Sequence, residues 1–412
     1  MNKLDSIMAM HAAQGWDTND KLLGVSFMVV DEKDVLYEGS AGRIGHHHET
    51  AKYTPDTFTY VASLTKLPTA ICLLQLVERG QVSLDEDLRP RIPFLSEVQI
   101  LRGFDENDQP ILENNHRPIT LWHLLTHTSG LTYDIPSEPL MKWRQAVGRH
   151  NNNLTWTEEG FSTPLLFEPG TQWLYGTGID WAGQLLEQVT GQTLEQYMRA
   201  NIFGVLGMRD SGFRPKLLAD QEERAARTAS FSFRSLGGAL EAGPSPLPDD
   251  HPLESGGAGL FTTARDYAKL LQAVLQGKLL SREGMNLLFR PQLDEGLQKD
   301  LMEKLASAPE GYAPEYPIGM PANFALGGML NMEDIPVDFQ LFFIPYEDQR
   351  PSLEFFLTPS QWIDTSTGVA GVFVVTLLPY ADHFAADLYS KLETAVYEDL
   401  VAGRPLDGSK NS

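Results

Sequence analysis

The sequence predicts an α+β fold: a predominantly antiparallel β-sheet flanked by N- and C-terminal helices, with a mainly helical subdomain inserted between the two ends of the chain. Three observations carry this expectation. A β-rich run, Gly24-Val25-Ser26-Phe27-Met28-Val29-Val30-Asp31, turns at the polar Asp31-Glu32-Lys33-Asp34 into Val35-Leu36-Tyr37-Glu38-Gly39, the pattern of a hairpin. Near the other end, Gln361-Trp362-Ile363 and Val369 to Leu378 make a matching strand pair around the turn Asp364-Thr365-Ser366-Thr367-Gly368. Between these ends the apolar residues recur mostly at helical spacing. Strands at both ends with helices between them imply one sheet built from two distant segments.

In chain order, Leu4, Ile7, Met8 and His11 share one face of an amphipathic first helix. After the hairpin, a helix begins close to Ser63 and runs through Leu73, Leu76 and Val77 to Gly80, which suits the position just past a helix end. Leu121 to Leu125, Trp181 to Val189 and Leu194 to Ile202 have helical spacing. Residues 214–256 are rich in charge, Pro and Gly, including Gly243-Pro244-Ser245-Pro246-Leu247-Pro248, and read as a long loop or crossover. A helix resumes from Thr263 to Gln276. A last one, from about Ala381 to Leu400, has Phe384, Leu388, Leu392 and Val396 on one face. The division expected is a discontinuous sheet subdomain, residues 1–80 with 257–412, and a helical subdomain, residues 81–256.

Composition narrows the function. The hydrophobic content, 42%, is that of a globular chain, and 412 residues can bury a large core. Fifty-five acidic residues against 32 basic ones give a formal charge of −23, which repels phosphate backbones and anionic lipids. Neither nucleic acid nor membrane is expected as a partner. The single cysteine, Cys72, excludes an intramolecular disulfide and sits in an apolar run that suits a buried, inert thiol. The first residues lack a signal peptide's apolar stretch, no run reaches the roughly 18 apolar residues of a membrane span, and the last five match no lipidation or peroxisomal signal. A soluble, cytoplasmic protein is the expectation.

The chemistry centres on Tyr60-Val61-Ala62-Ser63-Leu64-Thr65-Lys66-Leu67-Pro68-Thr69-Ala70. Ser63 lies at a helix start with Lys66 three residues on, on the same face. Pro68 is tolerated only near the first turn, which places the helix start independently. Free N–H groups and the helix dipole there favour negative charge near Ser63. A hydroxyl is a weak nucleophile at neutral pH and needs a base beside it. A lysine serves only when neutral, and moving one from about 10.4 to 7–8 takes roughly 3–4 kcal/mol of burial or positive neighbours. One S-x-x-K arises by chance in a chain of this size, so the surrounding motifs decide.

Other polar clusters do less. His123 and His127 have zinc-helix spacing, but Leu124 stands where the glutamate belongs and no third ligand is apparent, so a structural role is expected. His46-His47-His48-Glu49 reads as a solvated turn. Ser129-Gly130 and Ser255-Gly256 do not complete a G-x-S-x-G elbow, and no phosphate-binding glycine loop occurs. No metal is expected.

Four segments, in order, carry a family resemblance. Val61-Ala62-Ser63-Leu64-Thr65-Lys66, with Leu76 to Asp85 after it, resembles the first motif of the class C β-lactamase and family VIII esterase superfamily. Leu121-Trp122-His123-Leu124-Leu125-Thr126-His127-Thr128-Ser129-Gly130-Leu131 is similar to its LLTHTSGL signature. Phe167-Glu168-Pro169-Gly170-Thr171-Gln172-Trp173-Leu174-Tyr175-Gly176 resembles its second catalytic motif, and Gly257 to Tyr267 its GGGLFSTAxDY segment. Gly103-Phe104-Asp105, Ile179-Asp180-Trp181-Ala182-Gly183 and Leu326-Gly327-Gly328 look like the branch of fungal lovastatin-pathway acyltransferases.

The resemblance implies a β-lactamase/DD-peptidase-like fold with Ser63 as nucleophile, Lys66 as general base and Tyr175 as second acid/base. It implies transfer of an acyl group from a thioester donor, free or carrier-protein-bound, to a small-molecule alcohol, with no cofactor. Ester hydrolysis and a non-catalytic binding protein on the same scaffold are the competing expectations. Counting back from Trp362-Ile363-Asp364, the third motif falls on Pro351 to Pro359, and no glycine occurs between Gly328 and Gly368. Phe356 is then the expected backbone donor beside the Ser63 N–H, and a phenyl ring at Phe355 or Phe356 would fill part of the acyl pocket. Tyr133 and Tyr380 complete the expected substrate-binding set.

Overall fold

The computed structural model describes residues 2–248, 250–308, 316, 319–326, 328–333, 353–355 and 360–402. Among the described residues a sheet of seven strands forms the frame, in the order Val35–Gly42, Gly24–Asp31, Val369–Val375, Ser360–Asp364, Leu353–Phe355, Met329–Asn331, Ala322–Phe324. Every neighbouring pair is antiparallel. The two ends of the chain meet at the centre, where Val25 lies opposite Val375 and Asp31 opposite Val369.

The central strands are covered on both faces, which is why they read as continuous apolar runs and not as alternation. Successive side chains point to opposite sides. Val25, Phe27 and Val29 pack with Leu4 and Met8 of the helix Lys3–His11, and with Leu388, Tyr389 and Leu392 of the helix His383–Val396. Met28 and Val30 enter the other core with Leu270 and Leu271 of the helix Ala264–Leu275. The fully buried Trp362 ring stacks on Phe27 at 5.8 Å and lies over Gly371. A Cβ at Gly371 would come within 2.0 Å of the indole, so the strand interior has no room for a side chain there. Beyond Trp362, Asp364 accepts hydrogen bonds from the Ser366 and Thr367 backbone N–H groups and both hydroxyls, fixing the turn between the two strands.

On the helical side, Lys66–Glu78 packs against Gly178–Thr190, Leu194–Met198 and Arg282–Phe289, and Leu121–Leu125 packs on Gly178–Thr190. Three expectations need correction. Residues 214–256 are not simply a loop: they hold helical turns at Pro215–Leu217 and Gln221–Ala226, and strands Ser232–Arg234 and Leu240–Ala242. Those strands are anchored by the buried Arg234, which pairs with Asp382 and donates to the carbonyls of Gly238 and Lys21. The run expected from Val369 to Leu378 breaks after Val375, and Leu377–Leu378 joins that smaller sheet in parallel. A hairpin, Gln99–Phe104 with Pro110–Asn114, stands inside the stretch read as helical.

Gly371→Ala should therefore destabilise the protein by about 1–3 kcal/mol through overpacking against Trp362. Denaturant unfolding checks this: the midpoint should drop at unchanged slope, and an unchanged midpoint would mean that the indole yields freely.

Candidate active site

Ser63 is presented by a turn that other segments hold in place. Thr59–Tyr60 pairs with Phe261–Thr262, and the Val61 N–H donates to the Leu260 carbonyl at 3.0 Å. Ala62 then adopts φ 43°, a left-handed conformation that costs a residue with a Cβ about 1–2 kcal/mol. Thr65 Oγ1 donates to the Ala62 carbonyl at 2.6 Å and accepts from the Leu260 N–H at 3.0 Å, while Tyr267 Oη donates to the Leu64 carbonyl at 2.7 Å. The surroundings thus over-determine the strained turn.

Ser63 lies in a 3₁₀ turn, Ala62–Thr65, ahead of the α-helix Lys66–Glu78, a refinement of the expected helix start. Three residues per turn set Ser63 and Lys66 directly in line. The Ser63 N–H falls in the first turn, where the helix offers it no acceptor. Pro68, third in the α-helix, removes an N–H from the end where intrahelical acceptors are lacking.

Ser63, Lys66 and Tyr175 come together. Lys66 is fully buried, and its Nζ lies 3.1 Å from Ser63 Oγ, 2.6 Å from the Gly257 carbonyl and 3.4 Å from Tyr133 Oη. Tyr175 Oη is 2.8 Å from Ser63 Oγ, and Lys66 Nζ sits 4.6 Å from the Tyr175 ring centre. One oxygen is thereby within hydrogen-bond reach of both candidate proton carriers.

Tyr175 is positioned by the Thr126–Thr132 loop. The Leu174 N–H donates to the His127 carbonyl at 2.9 Å, the Gly176 N–H to His127 Nδ1 at 3.2 Å, and Thr132 Oγ1 to the Tyr175 carbonyl at 2.7 Å. The His127 ring is fully buried and lies 4.5 Å from the Tyr175 ring. Burial and the nearby Lys66 hold its pKa well below the ordinary value. Because Nδ1 accepts from Gly176, the proton of the neutral ring is assigned to Nε2. His123 instead caps the helix Leu121–Leu125 through the Thr120 backbone and hydroxyl, and burial pushes it down to about 4. Among the described residues no group of three or more His, Cys, Asp or Glu could hold a metal.

The remaining expected residues separate. Tyr133 stands behind Lys66, accepting from it and donating to Asp180 Oδ2 at 3.3 Å. Tyr380 shares a hydrogen bond with Tyr60, and burial pushes its phenol up to about 12. The Tyr60 ring continues into Phe261, Phe231 and Trp156 at 5.3, 6.2 and 6.3 Å, an aromatic wall beside the Ser63 turn. Phe355 ends the strand Leu353–Phe355, its backbone opposite Gln361. The expectation for Phe356 lies outside the described residues.

Sequence reasoning assigned no chemistry to Asp180. This buried carboxylate accepts from Ser255 Oγ, from the Gly257 N–H at 3.0 Å and from Tyr133 Oη. Burial raises its pKa, partly offset by Lys66 and those donors. The available signal was a lone acid among the apolar residues Ile179, Trp181 and Ala182.

A serine, a lysine one turn on and a tyrosine on the serine oxygen, beside an antiparallel sheet, define a serine enzyme of the β-lactamase type. The β-lactamase family model matches residues 10–394, and the chain belongs to that family. It is 34% identical over 351 residues to a lovastatin esterase of Penicillium rubens, covering 83% of this chain and 85% of the relative. It is 33% identical over 356 residues to a monacolin J acid methylbutanoyltransferase of Aspergillus terreus, covering 84% of each. The unliganded structure of simvastatin synthase from Aspergillus terreus superposes with a TM-score of 0.80 at 28% identity, covering 98% of this chain and all of that one. The protein is an enzyme of the acyltransferase and esterase branch of the family.

His127→Ala should lower stability by about 1–3 kcal/mol by orphaning the Gly176 N–H, and should slow any reaction that uses Tyr175. His127→Asn keeps an acceptor and tolerates the positive φ, so it should lose less of both. The depressed imidazole pKa means that the unfolded chain binds a proton the folded chain refuses. Its contribution is full above about pH 6.5 and is lost as the pH falls below that, at up to ~1.4 kcal/mol per unit. Unfolding curves at several pH values should show a shallower acid loss in His127→Asn.

Proposed function

We propose that Ser63 takes an acyl group from a thioester or activated ester and passes it to a small-molecule alcohol in secondary metabolism. The observation that supports this most directly is the placing of Ser63 Oγ within reach of both Lys66 Nζ and Tyr175 Oη. Lys66 accepts the Ser63 proton as Oγ bonds to the acyl carbon. Tyr175 gives its proton to the departing sulfur or oxygen as the old acyl bond breaks, and Lys66 returns the proton to Tyr175. The incoming alcohol runs the same steps backwards and leaves Ser63 free. The Ser63 N–H is one donor to the oxyanion.

Hydrolysis, with water as acceptor, is the second reading, favoured by the similarity to a lovastatin esterase. The donor is proposed to be free or carrier-bound. No helix among the described residues is long and apolar enough to cross a membrane, and a cytoplasmic location belongs to the same proposal. So does the division into lobes, since Ser63, Lys66 and Gly257 come from segments 1–80 and 257–412 while Tyr133, Tyr175 and Asp180 come from 81–256.

Intact-mass measurement after incubation with acyl thioesters and activated esters tests the reading. The wild type should gain one acyl mass on Ser63, and Ser63→Ala should gain none while remaining folded; undiminished turnover by Ser63→Ala would sink the mechanism. Decay of the acyl-enzyme with and without added alcohols separates transfer from hydrolysis. Lys66→Ala and Tyr175→Phe should each lower turnover by about two orders of magnitude or more, and the double variant little further, because groups acting as one unit are non-additive. Fully multiplicative losses would show that they act independently.

For the acyl pocket, replacing Phe355 or Phe356 singly with Gly should widen the range toward branched acyl groups, with acylation by a small activated ester changed less than about tenfold. No change of preference in either variant would remove this segment from the pocket.

A further inference from the structure

We propose that Asp180 is a positioning residue that fixes which way the Tyr133 hydroxyl points, and so reserves the lone pair of neutral Lys66 for the Ser63 proton. The inference rests on the reading of Ser63 and Lys66 above and concerns two groups to which that mechanism gives no step.

The hydrogen-bond donors and acceptors around Lys66 Nζ must balance. A neutral lysine has two N–H donors and one lone pair. Around Lys66 Nζ stand three oxygens: the Gly257 carbonyl at 2.6 Å, Ser63 Oγ at 3.1 Å and Tyr133 Oη at 3.4 Å. The carbonyl can only accept, which takes one N–H. Ser63 and Tyr133 can each donate or accept. If both offered their protons to Nζ, they would compete for its one lone pair, and an N–H of the buried amine would be left without a partner.

Asp180 removes the ambiguity. Its Oδ1 accepts from Ser255 Oγ and from the Gly257 N–H at 3.0 Å, and its Oδ2 lies 3.3 Å from Tyr133 Oη. An ionised carboxylate only accepts, so the Tyr133 proton must point to Oδ2. Tyr133 Oη is then an acceptor toward Lys66 and takes its second N–H. The lone pair is left for Ser63 O–H, and Tyr175 O–H can donate to the same Ser63 oxygen at 2.8 Å. The Lys66, Ser63, Tyr133 and Asp180 side chains are thus all satisfied in one arrangement. The backbone is built to allow it, since a Cβ at Gly257 would come within 2.5 Å of Asp180 Oδ2 and 2.7 Å of Tyr133 Oη.

Asp180→Asn separates orientation from charge. The Gly257 N–H and Ser255 hydroxyl require an acceptor, so the amide oxygen stays on their side and the NH₂ faces Tyr133. An amide NH₂ only donates. Tyr133 Oη must therefore accept from it and turn its own proton toward Lys66, where it competes with Ser63. A purely electrostatic role predicts the opposite sign, because removing a negative charge near Lys66 favours its neutral form.

The test is the Ser63-dependent burst of p-nitrophenolate from p-nitrophenyl acetate, with folding monitored by circular dichroism and thermal midpoint. Asp180→Asn should acylate about a hundredfold more slowly; Tyr133→Phe, which removes the acceptor for one Lys66 N–H but has no proton to misdirect, should lose only about tenfold. In the double variant Asp180→Asn/Tyr133→Phe, acylation should recover at least about tenfold over Asp180→Asn, a rescue that lost packing or stability would not give. Unchanged or faster acylation in Asp180→Asn, or a double variant no faster than that single one, overturns the inference. Should Asp180→Asn not fold, Tyr133→Phe decides: acylation at the wild-type rate would show that the acceptor reserves nothing and overturns the inference, as would a hundredfold loss, which would mean that the phenol itself carries the proton, whereas a loss of about tenfold supports it. Absence of any Ser63-dependent burst in the wild type overturns the reading of the site and this inference together. A normal wild-type burst with the wrong variant pattern overturns the inference alone.

Discussion

Burial of the Lys66 amine is the constraint on which the rest of the site depends. An amine taken out of water is costly unless each of its hydrogen-bonding positions is matched. Lys66 is fully buried, and its partners come from residues 63, 133 and 257. The site can therefore be satisfied only when distant segments are docked together. The same docking needs backbone without side chains: Gly256 lies against the Ile179 carbonyl, where a Cβ would stand 2.7 Å away, and its own carbonyl accepts from Thr69 Oγ1 at 2.8 Å. The helix that carries Lys66 is thus fixed to the 255–267 segment at its first turn.

That fixation also explains why Ala62 can persist at a positive φ. A strained residue of about 1–2 kcal/mol relaxes unless its neighbours are held. Here Thr65, Leu260 and Tyr267 hold the turn from both sides. The strain is local and the restraint is distributed, so the nucleophile's geometry is insensitive to motion of any single contact.

What was legible in the sequence follows from this division. The sheet could be read because its central strands are buried on both faces and show as apolar runs at 24–31 and 369–375. The hairpin at 99–114 could not, because much of it faces solvent: Ile111, Leu112 and Arg102 are exposed, and Arg102 reaches Glu113 across the strands. The strands at 232–242 were hidden by Pro- and Gly-rich composition, since turns dominate short elements. In the site, Ser63 and Lys66 were visible because their spacing puts them on one face and their segment resembles a known motif, and Tyr175 because its own segment does. The Gly257 carbonyl had no residue-type signal at all, since any residue carries one. Asp180 and His127 act through buried hydrogen bonds to backbone and hydroxyl groups, and only the fold shows which groups those are.

The similarity of one chain to both an esterase and acyltransferases has a physical basis in this site. Deacylation needs a proton removed from an incoming O–H and returned to Ser63, and on the proposed mechanism the Ser63–Lys66–Tyr175 arrangement serves water and an alcohol alike. The choice between them must then be made where the acceptor's carbon body rests, not where its proton goes. Beside the Ser63 turn stands an aromatic cluster, with the buried Tyr60 and Trp156 against the half-buried Phe231 and Phe261, and the Tyr60 phenol joined to Tyr380. Apolar surface beside an acyl group gains free energy when an alcohol's carbon body covers it and gains none from water. Two enzymes with identical proton machinery can therefore differ in outcome through what their walls offer the acceptor's carbon body.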